Sequence, residues 1–269
     1  MIRVDIVAVL ALAACGAQPP TVQDGQWLWS RGDRSVFLAA RESQPDLRPG
    51  IWVSSILFDP QAGRLVQRLA LPPTLLTGTP VAVVVRFENS VHQAWPRLDD
   101  ETIARVVSGQ LTDLLQHLAR TGTSLAEVQL DYDCPARRLE RWAALVRSLA
   151  TGPLSGREVW ITSLVSNLRQ PEFGALFRGV VTGHILQVFD TGEEESDSLL
   201  GEIARRLEAQ RLPFRFGVGA FERVLGPDRV TDQRRWFSAA EPLARLPHYR
   251  GLWVFPAGRQ WTYLRRPAS

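Results

Sequence analysis

There is no lysine in this chain; all 31 basic side chains are arginine. That excludes a lysine Schiff base, a pyridoxal phosphate site of the usual kind and a GxxxxGK[ST] phosphate-binding loop. Histidine is scarce. The four histidines (His92, His117, His184, His248) form neither an HxH nor an HExxH pair, so a metal centre has little to build on, and neither metal nor other cofactor is expected. GxSxG and GxGxxG are absent, which removes a nucleophile elbow and counts against an open dinucleotide-binding sheet. Only two cysteines occur, Cys15 and Cys134, so no disulfide framework exists and a sizeable core must supply stability. The arginines are scattered, with no stripe interleaved with aromatics, and the net charge is only +3; no nucleic-acid partner is expected. No apolar run reaches the roughly 20 residues of a membrane-spanning helix.

What is present begins at the amino terminus. Ile6 to Ala14 form a short apolar run behind Arg3, as in the core of an export signal. The run ends Leu12-Ala13-Ala14-Cys15, which resembles the lipobox of bacterial lipoproteins, where the cysteine is acylated and becomes the first residue. The resemblance implies a signal peptide at 1–15, lipidation at Cys15, a polar tether at 16–25 and one folded domain at 26–269. The tether spans at most about 35 Å. Gly16 is not the aspartate that retains lipoproteins in the inner membrane of many Gram-negative bacteria. An exported protein, lipid-anchored at the periplasmic face of the outer membrane, is therefore expected.

Downstream, short apolar or β-branched runs alternate with amphipathic helical stretches. Strands are expected near 26–30, 51–58, 81–87, 127–132, 158–164, 184–189, 214–221 and 251–255. Val81 to Val85 suits burial on both faces, as in a parallel barrel strand. The clearest helix is 100–120, with Asp99 as cap, a stripe of Ile103, Val107, Leu111, Leu114 and Leu118, and Gly122 as its stop. Further helices are expected at 34–44, 136–150, 172–179, 197–211 and 236–245. The Glu193-Glu194-Glu195-Ser196-Asp197 run suits the positive end of the helix from 197. This alternation predicts an α/β fold, a (β/α)8 TIM-type barrel. It is irregular: Asp59 to Gly63 reads as a turn and Arg64 to Leu71 as a returning strand, so a β-hairpin replaces the second helix.

The segment Val128-Gln129-Leu130-Asp131-Tyr132-Asp133-Cys134-Pro135 carries the chemistry. Alternation along a strand puts Val128, Leu130 and Tyr132 on one face and Gln129, Asp131 and Asp133 on the other. An acidic face cannot be buried against an apolar layer without a large cost, so it should look into a polar barrel mouth. Glycosidic cleavage needs one protonated and one ionised carboxyl group, and neighbouring carboxylates push one pKa upward. The candidate catalytic residues are Asp131, Asp133, Glu88 and Asp190; the candidate substrate-binding residues are Arg86, Trp29, Tyr132, Gln187 and Glu222. Asp59 and Thr162 are also placed at the mouth. Two structural alternatives stand beside these roles. Asp133 is placed to cap the helix that starts near Pro135, and Arg86 to neutralise Asp131.

The LDYDCP strand, the following Arg138-Leu139, the Ile161-Thr162-Ser163-Leu164 strand and the Ile185-Leu186-Gln187-Val188 strand occur in the order seen in a bacterial family filed as domain of unknown function 3142, which they resemble over about 26–255. That resemblance implies an exported or lipid-anchored barrel distantly similar to glycoside hydrolases. The same segment is similar to the DxxDxDxE strand of chitinase-type barrels, whose last glutamate donates the proton. Aligning Asp131 and Asp133 with the two later aspartates leaves Pro135 in the glutamate's place. Two functions therefore stay open: an envelope hydrolase of polysaccharide or glycoconjugate using these carboxyls, and a non-catalytic barrel that binds glycan or a partner protein. A metal-assisted hydrolase is a third reading, disfavoured by the scarcity of histidine.

Overall fold

A computed structural model describes residues 21–189, 196–226, 229–258 and 261. Eight parallel strands close on themselves: β1 (Gly25–Leu28), β2 (Arg48–Asp59), β4 (Val81–Phe87), β5 (Leu125–Asp131), β6 (Val159–Leu164), β7 (Gly183–Gln187), β8 (Phe214–Gly219) and β11 (Tyr249–Phe255). β1 pairs with both β2 and β11, which completes the ring. β3 (Arg64–Leu69) lies outside it, antiparallel to β2 from Ser54↔Leu69 to Asp59↔Arg64. β9 (Glu222–Gly226) and β10 (Arg229–Asp232) form a separate antiparallel hairpin after β8, where no strands were expected.

The helices follow the expected spacing. They are α1 (Asp33–Ser43), α2 (Asp100–Arg120), α3 (Leu139–Thr151), α4 (Val165–Leu168), α5 (Phe173–Phe177), α6 (Asp197–Gln210) and α7 (Ala240–Ala244). α2 begins where the Asp99 carboxylate accepts from the Thr102 backbone N–H at 2.7 Å. It buries Ile103, Val107, Leu111, Leu114 and Leu118 on one stripe; each such side chain contributes about 1.5–3 kcal/mol. It ends before Gly122, whose φ of 67° suits a residue without a side chain. No helix follows β2. Asp59 instead caps a turn, its Oδ1 accepting from the N–H groups of Gln61 and Ala62 at 2.9 and 3.1 Å. The expected hairpin is therefore the observed one.

The barrel has two apolar layers. Val81, Val83, Val85 and Phe87 face the helices, and Ala82 and Val84 face inward with Trp27, Trp160, Ile185 and Trp253. Near the β1–β11 seam, buried Asp33 gathers three backbone donors, from Trp29 and Ser30 (both 2.9 Å) and from Gly258 (2.8 Å). The loop that carries Trp29 is thereby tied to the end of β11. Among the described residues, no helix is long and apolar enough to cross a membrane. Residues 1–15, with Cys15 and the expected signal peptide, and residues 16–20 of the tether lie outside the described residues.

Candidate active site

The inward face of β5 is a polar column of Glu127, Gln129 and Asp131, all buried. Its foot is sealed. Glu127 receives both guanidinium nitrogens of Arg215 on β8, the second at 2.9 Å, and Arg48 on β2 at 2.8 Å. The Arg215 guanidinium lies 3.7 Å from the centre of the Trp160 ring. Burial opposes charge on Glu127, but the two arginines and the Gln129 amide outweigh it and hold the carboxyl below its ordinary range. In the middle, Trp27 Nε1 donates to Gln129 Oε1 at 2.7 Å, and Gln129 Nε2 donates to Glu127 at 2.8 Å. The interior is thus a column of hydrogen-bonded polar groups and not a channel, with Arg215 Nε left buried without a hydrogen-bond partner among the described residues.

At the carboxyl ends of the strands the column opens into a cavity of about 400 Å³. Trp29, Arg86, Asp131, Asp133 and Gln187 line it, with Trp27, Leu164, Val165, Ser166, Phe189 and Phe255. Arg86 on β4 donates from Nη1 to Asp131 Oδ2 at 3.1 Å and from Nη2 to Asp133 Oδ2 at 3.5 Å. Its Nε faces Glu88 Oε2 at 3.4 Å. Gln187 Nε2 donates to the other Asp131 oxygen at 3.3 Å. The Arg86 guanidinium also lies 5.1 Å from the centre of the Trp29 ring, close enough for a cation–π contact.

The two aspartates differ in surroundings. Asp131 is 2 % exposed, whereas the Asp133 side chain retains 38 % exposure. Burial pushes the Asp131 carboxyl up to about 6; Asp133 adds to the rise and Arg86 works against it. Burial alone would lower the Arg86 pKa, but its three carboxylate neighbours raise it. The pair therefore offers a buried carboxyl that keeps its proton to mild acidity and a solvent-reached one beside it. Phe189 stacks on Phe255 at 5.3 Å, and Trp29 meets Phe255 edge-on at 5.8 Å, forming an aromatic rim.

Of the residues singled out in the sequence, Trp29, Arg86, Asp131, Asp133 and Gln187 come together here. Glu88 faces a neighbouring groove and reaches the cavity only through Arg86. Tyr132 corrects the expectation of a substrate-binding role. It points outward, as strand alternation requires, packs on Phe87 and Trp142, and has its hydroxyl 2.6 Å from His92 Nδ1. Glu222 is also a correction: it is exposed, heads β9 and pairs with Arg234 at 2.7 Å away from the cavity. Asp59 serves the hairpin turn and not the mouth. Asp133 does not cap a helix, since the turn Ala136–Arg138 that follows has no side-chain cap. Asp190 and the Glu193–Glu195 run lie outside the described residues. Glu127 in the barrel interior and Phe189 and Phe255 at the mouth were not among the expected residues. Glu127 shares the parity of Asp131, and the two phenylalanines stand at the carboxyl ends of strands, so both signals were present.

Residues 77–202 match the family described as "Domain of unknown function (DUF3142)", a span that includes Arg86, Asp131, Asp133 and Gln187. The barrel is similar to that of the spore cortex-lytic enzyme SleL of Bacillus cereus, at 11 % identity and a TM-score of 0.57 over 88 % of this chain and 71 % of that one. It is similar to a family 18 chitinase from Crocus vernus at 14 % identity and a TM-score of 0.60, over 88 % and 93 %. It is also similar to the xylanase and α-amylase inhibitor protein XAIP-II of Scadoxus multiflorus at 12 % identity and a TM-score of 0.53, over 88 % and 93 %. At such identities the likeness is one of fold alone, an irregular (β/α)8 barrel. No curated protein matches the sequence.

Proposed function

We propose that this protein is an exported, lipid-anchored glycoside hydrolase that cleaves a polysaccharide or glycoconjugate of the cell envelope by carboxyl acid/base catalysis. The observation that carries the reading is the Asp131–Asp133 pair at the open, aromatic-rimmed end of a barrel whose other end is sealed. A sugar stacked on the rim would hold its glycosidic oxygen over the pair. The proton kept by the pair passes to that oxygen as the bond to the anomeric carbon breaks, and the remaining carboxylate stabilises the positive charge on the sugar. Water then adds to the anomeric carbon, and its proton returns to the pair. Arg86 and Gln187 hold the carboxyls in place and are positioning residues. The chitinases and the cortex-lytic enzyme with this fold, named for acting on such material, support the same reading.

The test is hydrolysis of soluble and insoluble envelope glycans by the purified protein, read as released reducing ends. Asp131→Asn is expected to lower the rate by about 10²-fold or more. Equal rates in both proteins would remove Asp131 from the reaction. A second reading has its own support. Arg86 already pairs with both aspartates, and a protein named as an inhibitor shares the barrel, so a glycan-binding protein without hydrolytic activity is the alternative. Binding without product release would favour it.

A further inference from the structure

We infer that a groove walled by the β2–β3 hairpin is a second saccharide subsite, continuous with the acid-lined cavity, so that the ligand is a chain of sugars and not a single residue; this rests on the glycan reading above and deepens it. The groove encloses about 580 Å³ and is lined by Trp52, Ser55, Arg68, Leu69 and Glu88, among others. It shares no lining residue with the cavity. Two contacts nevertheless join them. Trp52 of the groove stacks on Trp29 of the cavity, with ring centres 5.0 Å apart and planes 30° apart. Glu88 of the groove faces Arg86 of the cavity at 3.4 Å.

Local backbone irregularity builds this junction. The pairing of β2 with β4 shifts register between Trp52 and Ser54. Strict alternation would send Trp52 and Ser55 to opposite faces; the bulge brings them to one side. Trp52 Nε1 then donates to Ser55 Oγ at 3.2 Å, and Ser55 Oγ donates to Glu88 Oε1 at 2.8 Å. One short chain of hydrogen bonds thus fixes an indole face and a carboxylate beside it. Beyond its last partner on β4 (Ile56↔Phe87), β2 runs on to Asp59, paired only with β3, so the hairpin forms the groove's wall. Arg68 and Leu69 on β3 are exposed along it, Leu69 by 70 %. An indole ledge flanked by a carboxylate and an arginine matches a sugar, which has an apolar ring face and a rim of hydroxyl groups. Trp29, already met by Trp52 and by the Arg86 guanidinium, braces the Trp52 indole, which lines the groove and supplies the platform for a further unit of the chain.

The test is calorimetric titration of Asp131→Asn protein with β-linked oligomers of N-acetylglucosamine and of glucose, from one to six units long. Affinity is expected to rise with length by about tenfold, in keeping with the worth of an added aromatic platform. Adding Trp52→Ala should bring the longest oligomer down to the affinity of the shortest, while Trp52→Phe should keep most of the gain. Affinity independent of length, or a length gain that survives Trp52→Ala, would overturn the subsite and leave the glycan reading standing. Failure of every oligomer to bind would overturn both.

Discussion

Asp131 sits where two demands conflict. Burial disfavours its charge, and Arg86 and Gln187 favour it; burial prevails, and the carboxyl rises from its ordinary 3.8 to about 6. A group whose folded-state pKa is raised contributes stability that is complete below the unfolded value and is lost as pH rises through the folded one. The protein should therefore lose stability between about pH 4 and 6 from this residue. Asp131→Asn cannot ionise, so it should match the natural protein in chemical unfolding near pH 4 and exceed it by about 2 kcal/mol at pH 7. A constant difference between the two proteins across that range would refute the burial argument. The hydrolytic rate should fall as pH rises through about 6, when the pair gives up its proton. Parity decides which neighbours share this chemistry: Glu127 and Gln129 lie beneath Asp131 on the inner face, whereas Tyr132 turns away to pack against Trp142.

At the level of elements, packing sets the sign of otherwise similar substitutions. Gly183 opens β7 between β6 and β8, and a Cβ there would come within 2.4 Å of the Pro213 carbonyl oxygen and 2.5 Å of the Trp160 ring. Gly183→Ala should lower the melting temperature by roughly 2–10 °C, from an overpacking cost of about 1–3 kcal/mol. Gly109, exposed in the middle of α2, has nothing within 4 Å of its would-be Cβ. Gly109→Ala should raise stability by about 0.5–1 kcal/mol through helix propensity alone. Thermal melts of the two variants that shift in the same direction would contradict this account. The hairpin β2–β3 was legible because Asp59-Pro60-Gln61-Ala62-Gly63 is turn chemistry between two runs of strand character. The bulge at Val53 was not legible. Nothing in Trp52-Val53-Ser54-Ser55 reports a register shift, which depends on how β2 meets β4. Trp52 was overlooked for that reason.

For the molecule as a whole, barrel closure brings Trp29, Arg86, Asp131, Gln187 and Phe255 to one mouth, although they are spread over more than 220 residues of sequence. The opposite end is closed by Glu127, Arg215 and Arg48, from three different strands. Where the protein resides is a separate matter, carried by the amino terminus. If the Leu12-Ala13-Ala14-Cys15 run directs lipidation, Cys15→Ser should move the protein from the membrane fraction to the soluble fraction; sedimentation unchanged by the substitution would rule the anchor out. The described helices offer no span that would hold the protein in a membrane by another route.

The order of the eight barrel strands and of the main helices, the barrel class, the replacement of one helix by a hairpin and the inward direction of Asp131 were determined by the chain's own periodicities. Those are local properties: alternation along a strand, a stripe along a helix, a turn between them. What only the tertiary structure decided is which side chains meet. The two aspartates gathered on Arg86, the seal of Glu127 by Arg215 and Arg48, and the bulge in the pairing of β2 with β4 that turns Trp52 toward Ser55 all depend on strands distant in sequence. Their pairing depends on closure and register, and no stretch of sequence carries that information by itself.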